Sequence, residues 1–219
     1  FYSRRIGDID FGGKLLSTNG PWDFALLSAE SPVPGAAGTR NANYSVARAA
    51  RQILKSSTVG VMASNRLLDG QSAGAVGLDT SMYFTRSLNF TGQVVRSHGP
   101  FKQGNWAYYF RPSYDSPTGH FHFRYTHLGD RFGDNVNAVG FIQDDDRREM
   151  DSDLSKILWF EKGFVQRIEL SSRNNAYWSQ RNVLRSYHNI ETVNVELRNR
   201  WMAGVEHTNA FKLFERGFH

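Results

Sequence analysis

From His120 onward the chain alternates without interruption, His120, His122, Arg124 and Thr126 falling on one side and Phe121, Phe123 and Tyr125 on the other. A period of two belongs to a β-strand, so this segment predicts a strand with one apolar and one polar, charged face. The pattern recurs. Val76, Leu78, Met82 and Phe84 oppose Gly77, Asp79 and Ser81, and Val193, Val195 and Leu197 oppose Asn194, Glu196 and Arg198. Phe164, Ile168 and Leu170 oppose Arg167 and Glu169, with Gln166 out of step. Tyr44 to Ile53 alternates poorly, and its faces stay unassigned.

Turn residues divide the chain into strands near Ile9–Leu16, Trp22–Glu30, Asn43–Ile53, Thr58–Leu67, Ala75–Thr85, Leu88–Ser97, Asn105–Tyr114, Gly119–Leu128, Lys156–Glu161, Phe164–Tyr177, Asn182–Arg198 and Val205–Phe214. The expectation is all-β, about twelve strands. Short turns at Ser17–Pro21, Leu54–Ser57, Arg86–Ser87, Asp115–Thr118, Lys162–Gly163 and Asn199–Gly204 alternate with longer links. The longer set is Ser31–Ala42, Leu68–Gly74, His98–Gly104, Gly129–Ser155 and Trp178–Arg181. In strict up-and-down order, one end then carries the short turns and the other the long loops, as in outer-membrane barrels. A Greek-key sandwich mixes both lengths at both ends.

Two architectures fit such strands. In a soluble sandwich the apolar faces meet a second sheet; in a transmembrane barrel they meet lipid, and the polar faces line a lumen. The barrel reading makes Phe121, Phe123, Tyr125, Val76, Leu78, Met82, Phe84, Val193, Val195 and Leu197 lipid-facing. It makes His120, His122, Arg124, Arg111, Arg167, Glu169, Asn194, Glu196 and Arg198 lumen-lining. Trp22, Trp106, Trp178 and Trp201 fall at strand ends or in turns, where an amphipathic ring suits a membrane interface; Trp also packs over the open end of a soluble barrel.

Composition narrows the functions. The 219 residues hold no cysteine, which excludes a disulfide framework and thiol chemistry. No run approaches the ~18 apolar residues of a spanning helix. The formal charge is +5, but the arginines are spread singly and form no basic block, so the partners expected are a lipid bilayer and a polar solute, not nucleic acid. His120 and His122 share a face and are potential metal ligands. No carboxylate at their level is identifiable from the sequence, so polar lining is expected, with no metal and no cofactor. Asp144-Asp145-Asp146-Arg147-Arg148-Glu149 lacks the spacing of a calcium loop and reads as a self-neutralising loop patch. No nucleophile elbow, zincin motif or P-loop occurs, and no catalytic residue is assigned.

The opening SRRIG, the GGKL strand before a Gly-Pro-Trp turn, Gly129-Asp130-x-Phe132 followed by Gly140-Phe141, and the terminal ERGF resemble the barrel portion of the DUF5916 proteins of Gram-negative bacteria. The resemblance covers essentially the whole chain. It implies an outer-membrane location and an attached family 9 carbohydrate-binding module, which this sequence does not resemble; it transfers no catalytic residue. The expectation is one antiparallel up-and-down barrel domain over residues 1–219, a piece of a larger barrel whose edges pair with protein outside this sequence. It would pass or capture a saccharide or anionic solute, with another outer-membrane or periplasmic protein as a further partner. A surface-associated glycan or lipid hydrolase on a barrel scaffold is the alternative. A soluble β-domain binding protein or nucleic acid is the third reading.

Overall fold

The computed structural model describes residues 6–33 and 38–213. The described residues form twelve strands, β1 (Phe11–Asn19), β2 (Trp22–Val33), β3 (Arg40–Ile53), β4 (Ser57–Leu68), β5 (Gln71–Tyr83), β6 (Leu88–His98), β7 (Trp106–Ser116), β8 (Gly119–Leu128), β9 (Arg147–Trp159), β10 (Val165–Trp178), β11 (Leu184–Leu197) and β12 (Met202–Lys212). One short helix, α1 (Phe132–Val136), interrupts them between β8 and β9. The strands form a single sheet in sequence order, β1 through β12. At the two ends of that order, every residue of β1 and β12 is exposed. The predicted start of the chain up to Arg5 and its terminal ERGF lie outside the described residues.

The chain divides into two compact units. The first gathers Phe1–Met82, Thr91–Tyr109 and His127–Arg147, the second Tyr83–Phe90, Phe110–Thr126 and Arg148–His219. In the first, the antiparallel register places Leu26 beside Ala47, Ala47 beside Ala63 and Ala63 beside Val76. One row on, Phe24, Ala49, Val61 and Leu78 stand side by side. This face is apolar yet uncovered: Val76 is 47% exposed and Leu78 64%. The opposite face carries Arg48, Ser64 and Asp79.

The second unit repeats the division. Leu158, Ile168 and Val195 form one row and Leu170, Val193 and Val205 part of the next, with Val193 45% exposed. Phe121, on β8, is 40% exposed. Arg167, Glu169, Asn194 and Glu196 occupy the other face. All the strands among the described residues belong to one sheet rather than to two separate ones.

Turn chemistry sets the boundaries. Asp69 and Gly70 alone join β4 to β5, with φ of 51° and 75°, the pair of positive values a type I′ hairpin needs. The long link expected at Leu68–Gly74 is therefore a tight turn, and the alternation of loop lengths is weaker than the sequence suggests. Gln166 breaks the face pattern because the β10 to β11 register slips between Val165 and Arg167. Phe84 lies just past β5, its N–H bonded to the Leu88 carbonyl, so it belongs to a turn rather than to the strand face.

The long link between β8 and β9 is shorter than expected because β9 starts at Arg147. Its α1 segment folds onto the first unit, where fully buried Val139 packs with Ala42 and Tyr44 of β3, flanked by Ile6, Val33, Leu68 and Ala138. Asn135, also fully buried, donates to Ser97 Oγ at 3.1 Å and the Phe101 carbonyl at 2.8 Å, and accepts from the Phe101 N–H at 3.1 Å. One amide side chain thus holds the loop to the end of β6.

Candidate functional site

The polar face of β8 builds the densest side-chain network. Pro117 and Thr118 alone separate β7 from β8, so the hairpin folds Asp115 back beside His120. Asp115 Oδ1 lies 2.5 Å from His120 Nδ1, and His120 Nε2 lies 3.0 Å from His122 Nδ1. His122 Nε2 in turn lies 2.9 Å from Asp151 Oδ1. The two rings meet edge-on, at 74° and 5.3 Å between centroids. Asp115 is 61% exposed through its side chain and His122 15%, so the line runs from solvent at the hairpin end to a more sheltered position.

Arg124 extends the network, 3.6 Å from Asp151 and 3.8 Å from Glu149. Asn175 of β10 donates to Glu149 Oε1 at 2.7 Å. The carboxylates that the sequence could not place beside His120 and His122 are therefore supplied by β7 and β9. Each imidazole spends its nitrogens on a neighbour in line, so they do not converge on a common centre; among the described residues no group of three or more His, Cys, Asp or Glu is arranged to hold a metal.

The remaining expected lining residues separate into two groups. Arg167 Nε donates to Glu196 Oε2 at 2.6 Å and covers the Trp159 ring, while Glu169 and Asn194 are register partners on the same face. Arg111 is half-buried and alternates with Phe110 on β7, which puts it on the Asp115 face. Arg198, by contrast, lies one residue beyond β11 and donates to the carbonyls of Phe160 and Gly163, the latter at 2.9 Å. It is a turn brace, not a strand-face group.

On the opposite side of β8, Phe123 and Tyr125 pack against Phe110 with centroids 6.2 Å and 5.6 Å apart. Phe121 shares their face by alternation. Val195 and Leu197 are half-buried, and Met82 likewise. Trp22 and Trp106 open strands β2 and β7, Trp178 closes β10, and Trp201 sits between β11 and β12. Trp159, which the sequence reading left aside, closes β9. Trp22, Trp106 and Trp159 each lie under a guanidinium, from Arg51, Arg96 and Arg167.

The first unit holds a second polar feature. Arg48 of β3 donates twice to Asp79 of β5, at 2.6 Å and 2.8 Å, across the intervening β4. Gly60 of β4 lies beneath; a Cβ there would stand 2.9 Å from Arg48 Nη2 and 3.1 Å from both Asp79 oxygens. The acidic run from Asp144 is not a self-contained patch either. Asp145 accepts from the Gly133 N–H of α1 at 2.8 Å, and Arg148 donates to the Ser179 carbonyl at 3.0 Å.

No family model, curated protein or solved structure matches the chain.

Proposed function

We propose that the chain is an outer-membrane β-barrel, or a large piece of one, that passes or captures a polar solute. The observation that carries this reading is the separation of faces in each unit. Leu78, Val76, Phe121 and Val193 are exposed on apolar strand faces, while the opposite faces carry ion pairs and the histidine line. Water rarely meets contiguous apolar faces of this kind, and lipid satisfies them. The tryptophans at strand ends suit the two interfaces, and the resemblance to DUF5916 barrels points the same way.

The side-chain pairing favours a neutral, hydroxyl-rich solute such as a saccharide over a strongly charged anion. Arg48, Arg124 and Arg167 each face carboxylates, so at these positions the polar faces offer paired donors and acceptors rather than bare positive charge. In planar bilayers the protein should conduct without cation preference, and a neutral glucose oligomer should lower the current. Absence of conductance, or clear cation selectivity, would overturn the reading.

The hydrolase reading draws on Glu149 and Asp151, two carboxylates on one strand face within reach of one guanidinium. Release of sugar from a glycan by the wild type but by neither Glu149→Gln nor Asp151→Asn would favour it over transport.

A further inference from the structure

We propose that Asp115, His120, His122 and Asp151 form a proton relay that is complete only when it holds one proton beyond those of two carboxylates and two neutral imidazoles. An ionised carboxylate only accepts, and a neutral imidazole has one donor and one acceptor nitrogen. The three contacts, at 2.5, 3.0 and 2.9 Å, need one proton each. Two neutral rings bring two protons. With those alone, one contact would set a lone pair against a lone pair or a carboxylate. Closing all three requires the added proton, on a ring or on a terminal carboxyl.

The same geometry moves the proton. Once hydronium has given Asp115 a proton and left as water, that proton crosses to His120 Nδ1 as the Asp115 O–H bond breaks. His120 Nε2 then gives its proton to His122 Nδ1, and His122 Nε2 gives its own to Asp151. Three N–H or O–H bonds break and three form, with no change of oxidation state. The exposed end at Asp115 is thereby connected to Asp151, beside Arg124. The charged groups facing the relay are Arg111 on β7, Arg124 on β8, Glu149 and Asp153 on β9, and Arg173 on β10, so each proton taken up changes the charge of this face by one. The three contacts connect Asp115 to Asp151 whether or not a solute passes.

The test is a pH titration of the full chain in detergent micelles with 15N-labelled histidine, following the ring nitrogen shifts of His120 and His122. One proton should be shared by both rings, their signals moving together in a single step. Asp151→Asn should change the His120 curve although the two residues do not touch. Asp115→Asn should likewise change the His122 curve, which keeps the test open should one variant not fold. In His120→Gln, adding Asp115→Asn should no longer change the His122 curve. Two complete and independent ring titrations would overturn the relay. So would an unchanged distal ring in the carboxylate variants that fold.

Discussion

Gly60 has no side chain because two others meet above it. Arg48 and Asp79 reach over β4 from either side, and any Cβ at position 60 would press on both. Gly60→Ala should therefore destabilise the protein by about 1 kcal/mol in the wild type and by less in an Arg48→Ala background, a coupling that a double-mutant cycle on chemical unfolding reads directly. Asp145 makes a different residue-scale prediction. Burial raises its affinity for a proton above the ordinary carboxylate range, the Gly133 N–H opposes this, and Asp134 and Asp144 add to it. A carboxyl with a raised folded value favours the docked loop most at low pH, and that contribution is lost as pH rises through the raised value. Protection of the α1 amides, corrected for the intrinsic pH dependence of exchange, should accordingly fall over that window in the wild type and stay level in Asp145→Asn, which keeps the acceptor and cannot ionise. The histidines of the relay were legible as same-face neighbours in the sequence. Asp115 and Asp151 were not, because period two tells which face a residue takes and says nothing of which residue on the next strand stands beside it.

At the scale of elements, all twelve strands were legible, and β8 was read to its boundaries. The failure was the first half of β9. Arg147 to Asp153 reads as a charged loop when taken alone, yet its carboxylates find Arg124, His122 and Asn175 on neighbouring strands. A sheet with one polar face hides such strands, since the compensating charge lies across the ladder. The tight Asp69-Gly70 hairpin was missed for another reason: Gln71 to Gly74 has no apolar alternation, while its residues still pair with Asn65 to Leu68. The apolar faces themselves yield a test that separates water from lipid. Leu78→Arg should change stability by less than ~0.5 kcal/mol if that exposed side chain meets water. On a lipid face it should cost roughly 2–4 kcal/mol and impair folding into bilayers. The second outcome is expected, measured by folding into vesicles, with Phe123→Arg behaving alike. For α1, Asn135→Ala leaves the Phe101 N–H without its partner and should loosen the loop by about 2 kcal/mol, seen as faster proteolysis within residues 129–146 while the strands stay protected.

For the whole molecule, the sheet ends in two exposed strands, and in lipid a bare strand edge leaves backbone groups unsatisfied at several kilocalories per mole each. Because the sequence has no cysteine, Leu16→Cys and Val205→Cys place a unique thiol on each edge. Edges that pair with other protein should give no cross-link within one chain; a high yield of intramolecular disulfide would mean that β1 and β12 close on each other. The strand order carries a further consequence, in time rather than in space. Since each strand bonds only to its neighbours in sequence, no ladder waits for a distant segment to arrive, and loop-closure entropy stays small at every step. The sheet can grow hairpin by hairpin in chain order, each finished strand offering its free edge as the template for the next.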